Sequence, residues 1–294
     1  MARVLGVIAA AATALLAATA AVRAVPPALS IVAAENMYGD VAQQIAGPDS
    51  RVTSILSNPD ADPHLFEASP SVARSLAGAR IVIVNGADYD PWMQKLLAVG
   101  AAPGRQVIVV ADLVHRKPGG NPHLWYDPAT MPAVARALAA ALTAADPAHR
   151  AEYAARLQRF TASLAPLDAT VARLRRRYAG TPVAATEPVF GYMAAALGLS
   201  MHEQRFQIAV MNDTEPSARD TATFERDLHE HRVRVLFYNS QASDPAAARL
   251  LHIARSAGVP VVGVTETEPN GVDYQHWMLG TLDALDHALS QHGA

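Results

Sequence analysis

The chain has no cysteine among its 294 residues. That excludes disulfides, thiolate metal sites and thiol nucleophiles. It also excludes a lipoprotein anchor, which needs a cysteine just after the leader. Charge of either sign is scarce: 24 Lys and Arg against 27 Asp and Glu leave a formal −3, with 17% of residues charged. A general attraction to nucleic acid or to an anionic membrane surface is therefore not expected. Aromatics are only 6%, which argues against a roomy, ring-lined cleft for an organic solute. The sequence contains no G-x-S-x-G, H-E-x-x-H, Walker loop or G-x-G-x-x-G, and no nucleophile with an identifiable base. An enzyme is not expected.

Among the features present, the first is an exporting leader. Arg3 supplies a positive start, residues 4–22 form an uncharged, Ala-rich apolar run, and Val22-Arg23-Ala24 frames a cleavage point. The layout is that of a secretory signal peptide over residues 1–24. A free periplasmic protein, monomeric and without a lipid anchor, is the expected product. No later stretch is long and apolar enough to span a bilayer.

The rest of the chain reads as α/β in two halves. Strand-like runs at 29–33, 51–56, 80–84 and 106–111 alternate with helical patterns, and the same rhythm returns at 181–185, 233–238 and 259–264. Residues 207–210 offer a fourth strand to the second half, and helices are expected at 244–257 and 273–289. Short Val- and Ile-rich runs suit parallel strands buried on both faces. Two lobes are expected, each a mostly parallel sheet flanked by helices: an N-terminal lobe over 25–146 and a C-terminal lobe over 179–294. Between them, 147–178 has no strand signal and favours helix, kinked at Pro166. The basic run within 173–177 reads as a solvated helix face.

Two proline-framed histidines stand out. Asp62-Pro63-His64-Leu65 and Asn121-Pro122-His123-Leu124 each follow a strand of the first half, at the end where open α/β sheets place ligands. In the second half Glu187 follows the strand at 181–185 and Asp273 follows the one at 259–264. Asp273 also reads as a plain helix N-cap, and Glu187 as a charge that stabilises a helix start. Two imidazoles and two carboxylates facing each other across a cleft would suit a borderline divalent ion, with the carboxylates balancing its charge. His115 and His202 are further candidates near the cleft.

The phrases Asp62-Pro63-His64, Asn121-Pro122-His123-Leu124-Trp125, Glu187-Pro188-Val189-Phe190-Gly191-Tyr192 and Val272-Asp273-Tyr274 resemble those of the cluster A-I metal-binding receptors of ABC transporters, in order and over nearly the whole mature chain. The resemblance implies two lobes joined by a single long helix. It also implies one divalent transition-metal ion, Zn2+ or Mn2+ with Fe2+ also compatible, bound by His64, His123, Glu187 and Asp273 and delivered to a membrane permease. Zinc-specific members commonly have a third histidine where this chain has Glu187, and many have a long His-rich loop where residues 112–121 offer only His115. A carboxylate hardens the site toward manganese or ferrous iron, yet zinc binds most such sites more tightly than manganese, so zinc and manganese stay level. The segment Tyr238-Asn239-Ser240-Gln241 lacks a carboxylate that some relatives have. The alternative reading is a periplasmic metal-dependent hydrolase using the same ligands around an open coordination position.

Overall fold

The computed structural model describes residues 29–291 except 49, 101, 242 and 243, so the expected leader lies outside the described residues. The first half runs β1 (Leu29–Glu35), α1 (Asn36–Ala46), β2 (Ser50–Leu56), α2 (Pro70–Ala77), β3 (Ile81–Val84), α3 (Pro91–Val99), β4 (Gln106–Val109), α4 (Val110–Leu113) and α5 (Thr130–Ala145). Its four strands are parallel in the order β2-β1-β3-β4. The period-2 pattern explains the layering. Ile31, Ala33, Ile81 and Ile83 face α1 and α5, while Val32, Val82 and Val84 face Val72 and Leu76 of α2 and Met93 of α3.

The second half repeats the arrangement after two helices, α6 (Arg150–Ser163) and α7 (Ala165–Tyr178). It comprises β5 (Pro182–Ala185), α8 (Gly191–Leu197), β6 (Ser200–Met201), α9 (Gln204–Met211), α10 (Ala218–His229), β7 (Leu236–Asn239), α11 (Pro245–Ala257), β8 (Val261–Val264) and α12 (Tyr274–Ser290). These strands are also parallel, in the order β6-β5-β7-β8. In both sheets the first strand lies second in the row, so each lobe has the crevice at its strand ends that this topology creates.

One local expectation needed correction. Residues 207–210 are helical within α9, because Phe206 and Val210, four apart, turn together into the core beside Phe224; the fourth strand is the short β6. Ser69 precedes Pro70 at the start of α2, and its hydroxyl pairs with that of Ser71. The arginines of 173–177 are exposed, as a solvated helix face requires, and three of them also find partners. Arg173 and Arg177 pair with Asp286 of α12, and Arg175 donates to the carbonyl of Ala196 (2.7 Å).

The connector is a long helix bent in the middle. Pro166 cannot donate to the preceding turn, so α6 ends at Ser163 and α7 restarts with the proline in its first turn. The two lobes share one apolar interior that includes Ile31, Trp125, Phe190, Phe237 and Val264. Tyr126 of the first half meets Phe190 and Trp277 of the second, with ring centroids 5.4 and 5.6 Å apart. Polar stitches follow the same seam. Asn36 exchanges two hydrogen bonds with the backbone of Glu268 (2.7 and 2.9 Å), Tyr126 donates to the carbonyl of Thr265 (3.0 Å), and Tyr274 donates to that of Trp125 (2.8 Å).

Candidate metal centre

Each expected ligand is positioned by its own short motif. His64 lies in a single 3-10 turn, Pro63–Leu65, whose preceding residue Asp62 accepts a hydrogen bond from the His64 backbone N–H (2.9 Å). The aspartate locks the turn and the proline fixes its first dihedral. Asn121 plays the same part for His123, accepting from its backbone N–H at 3.0 Å. The same Asn121 oxygen lies 2.7 Å from His123 Nδ1. A carbonyl oxygen can only accept, so Nδ1 carries a proton and Nε2 is the ring nitrogen turned inward. Asn121 also donates to the carbonyl of Pro188 (2.7 Å), and Tyr192 donates to the carbonyl of Asn121 (2.7 Å). The histidine loop of the first lobe is thereby fastened to the second.

Opposite these rings stand two glutamates. Glu187 follows β5 and is 3% exposed; Glu266 follows β8 and is fully buried. Glu266 Oε1 lies 3.4 Å from His64 Nε2, and its Oε2 lies 3.3 Å from His123 Nε2. Glu187 Oε2 is 4.0 Å from His64 Nε2. One ligand atom from each of His64, His123 and Glu266 lies within 4.8 Å of the others. The carboxylates are held from behind. Asn239, at the end of β7, donates to Glu266 (2.7 Å) and to Glu187 (3.3 Å), while the Tyr89 hydroxyl donates to Glu266 Oε2 (2.9 Å). The missing carboxylate in the 238–241 segment is thus an amide that bridges two others. Gln241 accepts from the backbone N–H of Glu266 and Thr267 and donates to the carbonyl of Ala61. It ties the Glu266 loop to the His64 loop across the lobes.

Asp273 is not among these groups. It caps α12, its Oδ1 accepting from the backbone N–H of His276 (2.8 Å) and lying 2.6 Å from that residue's Nδ1, with the side chain 40% exposed. Glu266 is the carboxylate that stands beside both imidazoles. The sequence carried a signal for this. Thr186-Glu187-Pro188 follows β5, and Thr265-Glu266-Thr267-Glu268-Pro269 follows β8. Each threonine–glutamate pair begins within two residues of its strand end, where the crevice lies, whereas Asp273 is nine residues past β8. His115 adopts a positive φ of 54° in the loop after α4 and does not join the group.

The charges interlock. Burial opposes charging His64, but the hydrogen bond and charge of Glu266, with Glu187 and Asp62 adding to them, raise its pKa to about 9. Burial would raise Glu266; His123 and His64 instead hold it well below the usual carboxylate range. Glu187 is lifted to about 7 by burial and then by repulsion from Glu266. His123 Nε2 is buried, has no hydrogen-bond partner among the described residues, and lies 3.3 Å from a Glu266 carboxylate oxygen. A nitrogen and a carboxylate oxygen so close hold either a proton or a cation between them. Two imidazoles and two carboxylates suit a borderline divalent ion there and neutralise it.

The approach is narrow. A cavity of about 120 Å³ borders His64, Tyr89, Pro122, Met211 and Asn212, well under the 300–1,000 Å³ or so of organic ligand sites. A groove of about 470 Å³ runs past Asn121, Tyr192 and α9 but borders none of the four ligand candidates.

Comparison with known proteins bears on the fold and the family. A putative metal-binding protein of Treponema pallidum is 24% identical over 90% of this chain and 88% of its own length. The iron-binding protein YfeA of Yersinia pestis is 24% identical, with coverage of 80% and 76%. Among solved structures, the periplasmic zinc-binding protein TroA of Treponema pallidum superposes with a TM-score of 0.75 at 21% identity, covering 88% of this chain and 98% of that one. The manganese-bound periplasmic metal-binding protein of Candidatus Liberibacter asiaticus gives 0.70 at 18% identity, with the same coverage. The model of the family described as zinc-uptake complex component A, periplasmic, matches residues 31–288, and the chain belongs to that family.

Proposed function

We propose that this protein is exported to the periplasm, where it captures one divalent transition-metal ion and hands it to the membrane permease of an ABC importer. The ion is held by His64 Nε2, His123 Nε2, Glu266 and Glu187. The observation that carries this reading is the orphaned His123 Nε2, whose proton-bearing partner atom is already committed to Asn121 and which faces Glu266 at 3.3 Å. A metal ion there takes the place of a proton between the two atoms and bonds to both. The metal is cargo, and the chain's own work is to bind, orient and shield. Asn121 fixes the tautomer of one imidazole, Asn239 and Tyr89 aim the carboxylates, and Gln241 keeps the two ligand-bearing loops in register.

Four protein ligands from both lobes fill a tetrahedral shell, as retention of cargo requires; a hydrolase would keep one position for water. Two carboxylates favour manganese or ferrous iron more than a three-histidine set would, but the Irving–Williams order keeps zinc in competition. The leader at 1–24 is a sequence expectation, and export rests on it together with family membership.

Native mass spectrometry with elemental analysis of protein taken from its own periplasm tests the whole reading. One transition-metal ion at high occupancy is expected, lost in a His64→Ala/His123→Ala variant. Undiminished uptake by that variant would remove both residues from the site.

A further inference from the structure

His202, one of the histidines left over by the sequence reading, lies in a second group of candidate ligands. His202 follows β6, Glu203 precedes the first turn of α9, and Asp227 is in the last turn of α10. One ligand atom of each lies within 4.8 Å of the other two. The three are held in place by the fold. The His202 backbone N–H donates to Val183 of β5 (2.8 Å) and its carbonyl accepts from Gln207 (2.6 Å), while Asp227 is buried.

The oxygens of Asp227 are divided between two neighbours. Oδ1 lies 3.4 Å from Arg232 Nη1, and Oδ2 lies 3.9 Å from His202 Nδ1. Arg232 is further engaged by Glu230 through its other terminal nitrogen. It therefore neutralises the outer side of Asp227 and leaves Oδ2 facing the imidazole. A carboxyl oxygen of Glu203 completes the group, within 4.8 Å of the ligand atoms of Asp227 and His202. Two carboxyl groups so close need a proton or a cation between them. A metal ion can replace that proton, with the His202 imidazole as its third ligand.

The geometry points to a second, weaker divalent-cation site formed by His202 Nδ1, Glu203 and Asp227 Oδ2, with water completing the shell. One imidazole and two carboxylates suit Zn2+, Mn2+ or Co2+. Partial exposure of His202 and Glu203, and the positive charge of Arg232, make it the weaker of the two. Its position gives it a consequence. It lies at the start of α9, and the far end of that helix supplies Met211, which with the following Asn212 borders the opening beside His64. A cation there would pin α9 to α10 and steady one wall of that approach.

The test is a Co2+ titration of the metal-free full chain, followed by native mass spectrometry and by the visible absorption of bound cobalt. Wild type is expected to take two ions, and His202→Ala and Asp227→Asn each one. His202 is part-exposed, so its variant folds even if the buried Asp227→Asn does not. The His64→Ala/His123→Ala variant is expected to keep one ion with an unchanged spectrum for the weaker site. A single ion on wild type, or two ions on His202→Ala, would overturn the second site. Two ions on the His64→Ala/His123→Ala variant would instead count against the first site.

Discussion

Glu266 is the ligand candidate whose loss should be felt most, and Asp273 is its natural control. In Glu266→Gln the side chain keeps its shape, but its single amide oxygen can accept from only one of Tyr89 and Asn239, and its charge is gone. The group is fully buried and faces two imidazoles at 3.3–3.4 Å. Removing one charged partner from such a buried set costs about 3 kcal/mol or more, which is roughly a 100-fold weakening of metal affinity. A second readout comes from the ring across the cleft. The hydrogen bond and charge of Glu266 are the chief forces raising His64 against its burial, so its pKa should fall from about 9 in the metal-free variant, as followed by NMR of the imidazole protons. Asp273→Ala should cost only a helix cap, about 1 kcal/mol of folding stability, and leave the metal dissociation constant unchanged. Competition titration against a chelator of known affinity measures both variants. Tight binding by Glu266→Gln together with its loss in Asp273→Ala would refute the assignment.

Stability should depend on pH in opposite ways with and without metal. His64 and Glu187 both have folded pKa values above their ordinary ones, at about 9 and about 7. Their contribution to the metal-free fold is therefore present at low pH and lost as pH rises through those values. Metal requires both groups deprotonated, so the melting-temperature gap between loaded and metal-free protein should widen steadily from about pH 5 to 9; a constant gap in scanning fluorimetry would contradict this. Asn239→Ala removes the amide that joins Glu187 to Glu266 and should weaken metal binding about 10- to 100-fold, as loss of an orienting partner does, measurable by the same chelator competition. Hydrogen exchange of metal-free and loaded protein should differ around His64, His123, Glu187 and Glu266 while α6 and α7 exchange alike; equal protection at all four residues would count against a shared ion.

The fold was legible because its signals are local. Runs such as Ile81–Val84, wholly β-branched, favour a strand buried on both faces, and Pro166 announces the bend in the connector. The histidines were legible for a similar reason, since Asp62-Pro63 and Asn121-Pro122 write a rigid turn into the sequence beside each ring. Glu266 was missed as a candidate. Asp273 drew attention by its place after a Pro-Asn-Gly turn, a position that equally describes a helix cap, and in the structure it caps α12. The Thr-Glu pair after β8 matches the one after β5, but that likeness is short, and the place of Glu266 opposite His64 and His123 is set by the packing of one lobe on the other. The same holds for Asn239 and Gln241, whose roles exist only because residues some 27 positions and 180 positions away are brought to them. The helix at 207–210 was misread because four apolar-rich residues cannot distinguish a strand from one turn of helix.

The apolar interior common to both lobes constrains how the protein can unload. Baring Trp125, Tyr126 and Phe190, all of them buried, would expose on the order of 200 Å² apiece, roughly 5 kcal/mol each at about 25 cal/mol per Å². Three such rings together rival the 5–15 kcal/mol or so that holds an entire domain folded. Swinging the halves apart would therefore come close to denaturing them. Discharge at the permease has to proceed by loosening a loop at the rim, so the docking partner need only perturb a few residues near the mouth to set the ion free.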